Sequence, residues 1–283
     1  MKTSILITGS TGFLGKNLEN SLINNYKIIS IVKKASKKKI KKKKNLKIIY
    51  YKNYSDLYTK LKNVSCDYII HCATYYKKKD EDNDMIDLIN SNILFGSIIL
   101  SKINSLKVKK FINITTNWEN YNGKLNNPFN LYSATKIAFK NIVHYFQLKN
   151  KKIKFYNIYL SDTFGYMDNR KKIIPSMIKA FKENKKINLI SPNYYLNILN
   201  VQDFVNAISI IIKKNIKQGN YNLVNNKYII LKKIVEKLKE KKEFKVRYIS
   251  NKLIREKIFK FKNNIHWQPK KSNINNLIEL FQN

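Results

Sequence analysis

The chain has 283 residues, and 43% of them are hydrophobic, so it is long and apolar enough to bury a full core and is not intrinsically disordered. Its formal net charge is +38, but among 56 basic residues only Arg170, Arg247 and Arg255 are arginine, whereas nucleic-acid surfaces use the guanidinium fork as well as lysine. Because the lysine excess accompanies many Ile, Asn and Tyr residues and few Gly, Ala and Pro residues, we attribute it to drift of the gene toward A and T and expect no specific nucleic-acid partner.

Short apolar runs alternate with amphipathic segments over the first 165 residues. The apolar runs predict strands at residues 4–8, 27–32, 46–51, 67–73, 110–115 and 153–160. Helical periodicity covers 14–24, 85–103 and 131–148, followed by helices near 173–184, 201–214 and 230–242 and a strand near 220–224. This βαβ alternation predicts an α/β fold, in which a doubly wound parallel sheet is covered on both faces and a smaller C-terminal region packs onto it.

The start of the chain predicts a soluble, cytoplasmic protein that is not exported. Residues 4–8 form the first predicted strand without a preceding signal peptide, and no uninterrupted run of about 18 apolar residues follows, so no membrane contact is expected. Cys66 and Cys72 lie in or beside an apolar run, and neither a disulfide framework nor a metal site is predicted. The lysine run from Lys33 to Lys44 is expected to be a solvated loop that could hold an anion loosely.

The first strand-to-helix turn contains three of the seven glycines in the chain. Glycines at this place let the backbone approach a pyrophosphate at a helix N-terminus, so they favour a dinucleotide site over a tight turn without a ligand. The predicted cofactor-binding residues of this turn are Gly9, Thr11, Gly12, Phe13, Leu14 and Gly15.

Tyr132 and Lys136 are four residues apart on a predicted helix, which places a phenol beside an ammonium group on one face. Six tyrosines have a lysine four residues further on, whereas chance alone gives about four such pairs in this composition, so the spacing by itself is uninformative. Tyr132 differs from the other five tyrosines in its context. It lies about one strand and one loop after the pair Thr115 and Thr116, in a chain that also has a dinucleotide-binding turn.

The G-x-x-G-x-x-G spacing of the turn resembles that of the extended short-chain dehydrogenase/reductase superfamily, in its branch of NAD(P)-dependent nucleotide-sugar epimerases and dehydratases. The resemblance covers nearly the whole chain, in order, through "DYIIHCAT", "NILFGSIIL", "FINITT", "YSATK", "NILNVQDF" and "HWQPK". Three stretches, "NNPFNLYSATKIAF", "SDTFGYMDNRKKI" and "IREKI", are most similar to the abequose-synthase-like 4-ketoreductases, which reduce 4-keto-6-deoxy nucleotide sugars.

This resemblance implies a division of the chain into two regions. Residues 1–165 would form the dinucleotide-binding Rossmann domain, to which 198–226 return, while 166–197 and 227–283 would form the substrate-binding region. The further cofactor-binding residues that it implies are His71, Cys72, Ala73 and Asn92. For Asn92, hydrogen bonding within its own helix is the alternative.

The resemblance also implies the roles of three catalytic residues. Tyr132 would give its proton to the carbonyl oxygen of the substrate as hydride arrives from the nicotinamide. Lys136 would hold the nicotinamide ribose and lower the phenol pKa, because an ammonium group within about 4 to 6 Å favours a phenolate. Thr116 would hydrogen-bond the same substrate oxygen, with Thr115 as the alternative.

The end of the second strand bears on the choice of cofactor. An acid there suits the ribose hydroxyls of NAD, whereas a positive charge suits the 2′-phosphate of NADP. Lys33 stands at this position, and the sequence has no Asp or Glu between Glu19 and Asp56. NADP(H) is therefore favoured over NAD(H).

Departures from the family bear on the substrate. In dehydratases of this branch, an Asp-Glu pair follows the catalytic Thr, whereas in this chain Asn117 and Trp118 follow Thr116. Dehydration is therefore not expected. Asn117, with Thr116, is predicted to contact the substrate, and Trp118 either stacks on it or packs in the core. Arg170 and Arg255 match arginine positions of the reductase subgroup and are candidates for a substrate diphosphate fork or for solvated surface residues.

Three functions remain open from the sequence. The first is an NADPH-dependent reductase of a nucleotide-linked 4-keto-6-deoxy sugar in surface polysaccharide synthesis. The second is a nucleotide-sugar epimerase with tightly held cofactor. The third is a non-catalytic NADP-binding sensor, against which the intact Tyr132, Lys136 and Thr116 argue. A homodimer is a further expectation.

Overall fold

A seven-stranded parallel sheet forms the centre of the protein in the computed structural model, which describes residues 2–36, 43–76 and 84–282. In chain order its strands are β1 (Ser4–Thr8), β2 (Lys27–Lys33), β3 (Leu46–Tyr51), β4 (Tyr68–His71), β5 (Lys110–Thr116) and β6 (Lys154–Leu160), with a later strand, Gly219–Leu223, which is β11. Their order across the sheet is β11-β6-β5-β4-β1-β2-β3. Residues 37–42 of the lysine run lie outside the described residues.

Helices cover both faces of this sheet, because its central strands are apolar on both sides. Helices α1 (Phe13–Leu22) and α7 (Val201–Lys213) bury residues in one core with β1 and β6. Helices α2 (Tyr54–Leu61), α4 (Phe95–Ser101) and α5 (Leu131–Lys149) bury residues in the other. The predicted α/β, Rossmann-like fold is confirmed, and the predicted strand at 46–51 has the observed bounds.

The helix predicted as continuous over 85–103 is interrupted. It consists of α3 (Asp84–Ile89), a π-helical turn (Asn90–Leu94) and α4. Within the part of the chain that the structure describes, Asp84–Ser101 is the one helical stretch long and apolar enough by composition to cross a membrane, with 39% of it buried. A core helix of a soluble protein meets the same criterion, and Leu88, Ile99 and Leu100 belong to the core of this fold.

The later part of the chain builds a third core from short elements. Its remaining strands are β7 (Asp162–Phe164), β8 (Ile187–Leu189), β9 (Tyr194–Leu196), β10 (Ile198–Asn200), β12 (Ile229–Ile230), β13 (Val246–Tyr248) and β14 (Ile254–Arg255). Its helices are α6 (Ile173–Lys182), α8 (Leu231–Lys239) and α9 (Ile274–Gln282). Phe181, Leu238 and Phe281 are among the buried residues that hold these helices together.

The end of the "HWQPK" segment and the two residues after it are tied to helix α7 through the side chain of Asp203. Asp203, 1% exposed in the first turn of α7, accepts hydrogen bonds from the backbone N–H groups of Lys270 (3.0 Å) and Lys271 (2.8 Å) and from the Ser272 hydroxyl (2.6 Å). This arrangement gives the Asp of "NVQDF" a structural role, because one buried side chain accepts three hydrogen bonds from a distant segment.

A row of asparagines crosses three strands of the central sheet. Asn113 of β5 donates to Asn157 of β6 (3.0 Å), and Asn157 donates to Asn220 of β11 (3.0 Å). The three residues are direct neighbours in the strand register. The row therefore links β5, β6 and β11 through two side-chain hydrogen bonds.

Candidate active site

A cavity of about 860 Å³ lies at the carboxyl ends of the parallel strands, between the glycine turn and the later region of the chain. This is the place where open α/β sheets bind ligands. The predicted site residues that line it are Gly9, Thr11, Gly12, Phe13, Leu14, Gly15, Lys33, Cys72, Ala73, Thr116, Asn117, Tyr132 and Arg170.

The glycine turn has the shape that a dinucleotide needs. Gly9 has a φ of +70°, and a Cβ there would lie 2.8 Å from the backbone N of Ala73. A Cβ on Gly15 would lie 2.3 Å from the Gly9 carbonyl oxygen, so a larger residue would push the turn away from α1. Gly12, the N-cap of α1, leaves the N-terminus of that helix open toward the cavity. These features fit the pyrophosphate of a dinucleotide cofactor.

His71 and Asn92, both predicted to contact the cofactor, have buried side chains that support the cavity wall. The ring of His71 lies 5.0 Å from that of Phe139, its Nδ1 pairs with the Thr8 hydroxyl at 3.0 Å, and burial lowers its pKa to about 3. His71 is therefore neutral at physiological pH. The next residues, Cys72 and Ala73, line the cavity.

Asn92 lies in the π-helical turn and fastens the segment after β4 to α5. Its Oδ1 accepts from Tyr75 N (2.7 Å) and the Thr74 hydroxyl (2.9 Å), and its Nδ2 donates to Tyr75 O (3.1 Å) and the Thr135 hydroxyl (2.9 Å). Thr135 lies on α5 between Tyr132 and Lys136. Asn92 therefore fixes the cavity wall relative to the helix that bears the predicted catalytic pair.

Tyr132 lies in the first turn of α5 and forms part of the cavity wall. A capping box between Asn130 and Ser133 fixes the start of the helix: Ser133 N donates to Asn130 Oδ1, and Asn130 N donates to Ser133 Oγ. The ring of Tyr76 meets that of Tyr132 edge-on at 5.1 Å. The phenol is thus held from two sides at the surface of the cavity.

The expected effect of Lys136 on the Tyr132 pKa is not what the structure shows. Burial raises the pKa of the Tyr132 phenol above its usual value, and the Glu119 charge acts in the same direction. The Lys136 ammonium, 2% exposed, donates instead to the carbonyl oxygen of Ile114 at 2.9 Å. Burial also lowers the pKa of Lys136, to about 8. The phenol therefore holds its proton at neutral pH.

Thr115 and Thr116, at the end of β5, use their hydroxyls differently. Thr115 donates its hydroxyl proton to the buried carboxylate of Glu119. Thr116 Oγ1 accepts from Trp118 N at 3.3 Å, so its own O–H can point elsewhere. Of the two, Thr116 has the hydroxyl proton that is free to bind an oxygen in the cavity.

Asn117 and Trp118 follow at the same edge of the sheet. Asn117 donates to the Ser161 hydroxyl (3.3 Å) and accepts from Asn222 (3.2 Å). The Trp118 indole N–H donates to Glu256 at 3.2 Å, and its ring packs 4.9 Å from that of Phe129. Trp118 therefore both lines the cavity and packs against other aromatic residues.

The two candidate arginines occupy different places. Arg170 forms hydrogen bonds to both carboxylate oxygens of Asp168 (2.7 and 2.6 Å), and its guanidinium lies 4.3 Å from the Phe13 ring of the glycine turn. Arg255 lies over the ring of Tyr228 at 4.7 Å, and Tyr228 lines the cavity. Arg170 is thus close to the predicted cofactor, and Arg255 lies on the side of the later region.

Lys33 lies at the far end of the cavity, where β2 ends. The cavity there is lined by Ile31, Val32, Lys33 and Ser36. Among the residues that the structure describes, the acidic ones lining the cavity are Asp162 and Glu256, which belong to the other end. This end of the cavity thus has a lysine, and no acidic residue among the described ones lines it.

Several cavity residues were not predicted as site residues, because they stand in short elements whose positions depend on the tertiary fold. They are Thr74, Tyr76, Ser161, Asp162, Lys172, Tyr194, Tyr195, Asn197, Tyr228, Glu256 and Ile258. Lys172 pairs with Asp162 (2.5 Å) and lies 5.1 Å from the Tyr76 ring. Most of them had a usable signal, because they lie inside stretches that carry the family resemblance: Thr74 in "DYIIHCAT", Ser161, Asp162 and Lys172 in "SDTFGYMDNRKKI", Asn197 in "NILNVQDF", and Glu256 and Ile258 in "IREKI".

Known proteins with similar sequences include two CDP-abequose synthases. That of Yersinia pseudotuberculosis is 25% identical over 219 residues, which are 77% of this chain and 75% of the relative. That of Salmonella muenchen is 27% identical over 240 residues, which are 83% of this chain and 80% of the relative.

Solved structures of nucleotide-sugar enzymes have the same fold. UDP-glucuronic acid 4-epimerase from Bacillus cereus, in complex with UDP-glucuronic acid and NAD, has a TM-score of 0.80 at 17% identity and covers 99% of this chain and 98% of its own. dTDP-glucose 4,6-dehydratase from Bacillus anthracis, in complex with NAD, has a TM-score of 0.79 at 19% identity, covering 99% and 96%. At this identity the likeness shows the fold alone.

The sequence pattern of the NAD dependent epimerase/dehydratase family matches residues 5–224, which include the glycine turn, Thr116, Tyr132 and Lys136. The predicted superfamily, its NAD(P)-type binding fold and its class of nucleotide-sugar enzyme are thereby confirmed. Because this match spans most of its length, the chain belongs to the NAD dependent epimerase/dehydratase family.

Proposed function

We propose that the protein reduces the 4-keto group of a nucleotide-linked 4-keto-6-deoxy sugar with NADPH, for surface polysaccharide synthesis. The observation that carries this proposal is the wall of the cavity, where the phenol of Tyr132 and the free hydroxyl proton of Thr116 accompany Asn117 and Trp118 in place of a carboxylate pair. The similarity to two CDP-abequose synthases supports the choice of substrate class. The cytoplasmic location and a homodimeric state remain predictions.

The chain supplies the proton and the polarising groups of this reaction. A bound nicotinamide cofactor supplies the hydride. Tyr132, whose raised pKa keeps it protonated at neutral pH, donates its proton to the oxygen that becomes the hydroxyl. Thr116 donates a hydrogen bond to the same oxygen, and Lys136 would hold the nicotinamide ribose. Amide and indole groups at 117 and 118 cannot perform the proton transfers of a dehydration.

The preference for NADPH is part of the proposal. Lys33 lies at the adenosine end of the cavity, and a cation there would attract the 2′-phosphate of NADP. Gly9 and Gly15 leave room for the backbone to hold the pyrophosphate of the cofactor, whereas the charge of Arg170 is already paired with Asp168.

An epimerase is the second candidate. UDP-glucose 4-epimerase of Rickettsia bellii is 26% identical over 218 residues, which are 72% of this chain and 61% of the relative. An epimerase would use the same Tyr132 and Thr116 but would regenerate its nicotinamide in each cycle. The sensor alternative loses support, because the relatives in this family are enzymes.

One assay separates these functions. The purified protein is incubated with NADPH and with CDP-, dTDP- and UDP-linked 4-keto-6-deoxy sugars, and nicotinamide consumption is compared with product formed. We expect one NADPH consumed per hydroxyl formed and no 4-keto product from an intact hexose. Interconversion of two hydroxyl epimers without net nicotinamide consumption would favour the epimerase. Dehydration of an unmodified hexose would refute both.

A further inference from the structure

A buried carboxyl group lies directly behind the wall of the cavity. Glu119, in the 3₁₀-helical turn Asn117–Gly123, is fully buried and accepts the hydroxyl proton of Thr115 at its Oε1. Lys140 of α5 faces its Oε2 across 3.3 Å, and Tyr159 of β6 lies against the same carboxyl group. Burial raises the pKa of Glu119 to about 7, although both Lys140 and Lys136 favour its ionised form. The group therefore changes its charge near neutral pH.

Strand β5 and helix α5 together place this carboxyl group beside the predicted catalytic lysine. Lys136 and Lys140 share one face of α5, and Lys140 contacts Glu119. Lys136 donates to the carbonyl oxygen of Ile114, the residue before Thr115, which is itself bonded to Glu119. The two lysines and the carboxyl group thus meet at the last residues of β5.

Glu119 is the neighbour that can place a negative charge near Lys136. The other titratable groups that interact with Lys136 are Cys72 and His71 at the end of β4. Burial raises the pKa of the Cys72 thiol to about 12 and lowers that of His71 to about 3, so both are neutral at pH 7. Among the residues that the structure describes, Glu119 is the carboxylate that opposes the loss of the Lys136 proton.

We propose that Glu119 is a positioning residue that keeps Lys136 protonated and thereby sets the upper pH limit at which the Tyr132–Lys136 pair can work. The inference rests on the function proposed above, because that function assigns the Lys136 ammonium to the nicotinamide ribose. Ionised Glu119 stabilises the Lys136 ammonium. A neutral residue of the same shape would let the ammonium lose its proton at lower pH.

The test measures cofactor binding and needs no sugar substrate. The dissociation constant of NADPH is measured by fluorescence between pH 6 and 9.5, because the proposed function assigns the Lys136 ammonium to the nicotinamide ribose, and deprotonation would remove that contact. In Glu119→Gln, which keeps an oxygen that accepts from Thr115, the pH at which affinity falls should decrease by about one unit. Glu119→Asp should restore the wild-type profile. Glu236→Gln removes an exposed carboxylate of α8 and should change nothing.

The outcomes are distinguishable. If the wild-type protein binds neither NADPH nor NADH, the proposed function fails. If it binds NADPH and Glu119→Gln has the wild-type midpoint, the role of Glu119 is refuted and the proposed function stands. Lys136→Met should abolish the pH dependence, which identifies the titrating group. If Glu119→Gln does not fold, Thr115→Val removes one hydrogen bond from the carboxylate, and an unchanged midpoint in that variant likewise overturns the proposal.

Discussion

Replacing Glu119 by Gln should alter the pH dependence of stability, and the size of the effect follows from its burial. The pKa of Glu119 is raised from 4.5 to about 7 in the folded protein. A carboxyl group whose folded pKa is raised contributes stability that is fully present below pH 4.5 and is lost as pH rises through 7. At 1.36 kcal/mol per pKa unit, the loss approaches about 3 kcal/mol at alkaline pH. Glutamine cannot ionise and suffers no such loss.

The assay is urea unfolding of the wild-type protein and Glu119→Gln at several pH values from 5 to 8.5. The stability of the variant relative to wild type should increase by about 2 to 3 kcal/mol between these limits, most of it before pH 7.5. The exposed control Glu236→Gln should show no such trend. A constant difference between Glu119→Gln and wild type across this range would refute the reasoning, because it would mean that ionisation of Glu119 is not opposed by the fold.

Three further changes test the cofactor and catalytic assignments. Tyr132→Phe keeps the ring against Tyr76 but removes the proton donor, so turnover should fall at least about a hundredfold with the melting temperature little changed; near-normal turnover would end the assignment. Lys33→Asp combined with Lys34→Ala should weaken the binding of NADPH more than that of NADH, by about 1 to 3 kcal/mol in fluorescence titrations. An unchanged preference would show that neither lysine binds the 2′-phosphate. Gly15→Ala should weaken binding of both nucleotides and lower stability by about 1 to 3 kcal/mol, because its Cβ would lie 2.3 Å from the Gly9 carbonyl oxygen; undiminished binding would contradict the tight turn.

The sequence was sufficient to predict the central sheet, because local signals determine it. Parallel strands buried on both faces are continuous apolar runs, so the run at residues 46–51 has the bounds of β3. The scarcity of glycine made the turn at Gly9 and Gly15 conspicuous, and the close contacts of both residues agree with that interpretation. Order along the chain, rather than any single motif, distinguished Tyr132 from five other tyrosines with the same lysine spacing.

What the sequence could not predict depends on contacts between distant segments. The π-helical turn that interrupts the helix after α3 contains Asn92, which hydrogen-bonds Tyr75 and Thr135 from other elements. The raised pKa of Tyr132 and the attachment of Lys136 to Ile114 are consequences of burial, which the four-residue spacing does not reveal. The environment of Glu119 was not predictable for the same reason, because its neighbours Lys140 and Tyr159 approach it only in the folded chain.

The row of Asn113, Asn157 and Asn220 has a consequence for how the strands find one another. Sliding β6 by two residues along β5 would keep every side chain on its own face, so alternation of apolar residues cannot reject that mispairing. It would, however, place Asn157 opposite Phe111 or Thr115 and break its hydrogen bond with Asn113. In a chain whose gene supplies asparagine in excess, three such residues thus distinguish the native alignment from its nearest competitors during folding.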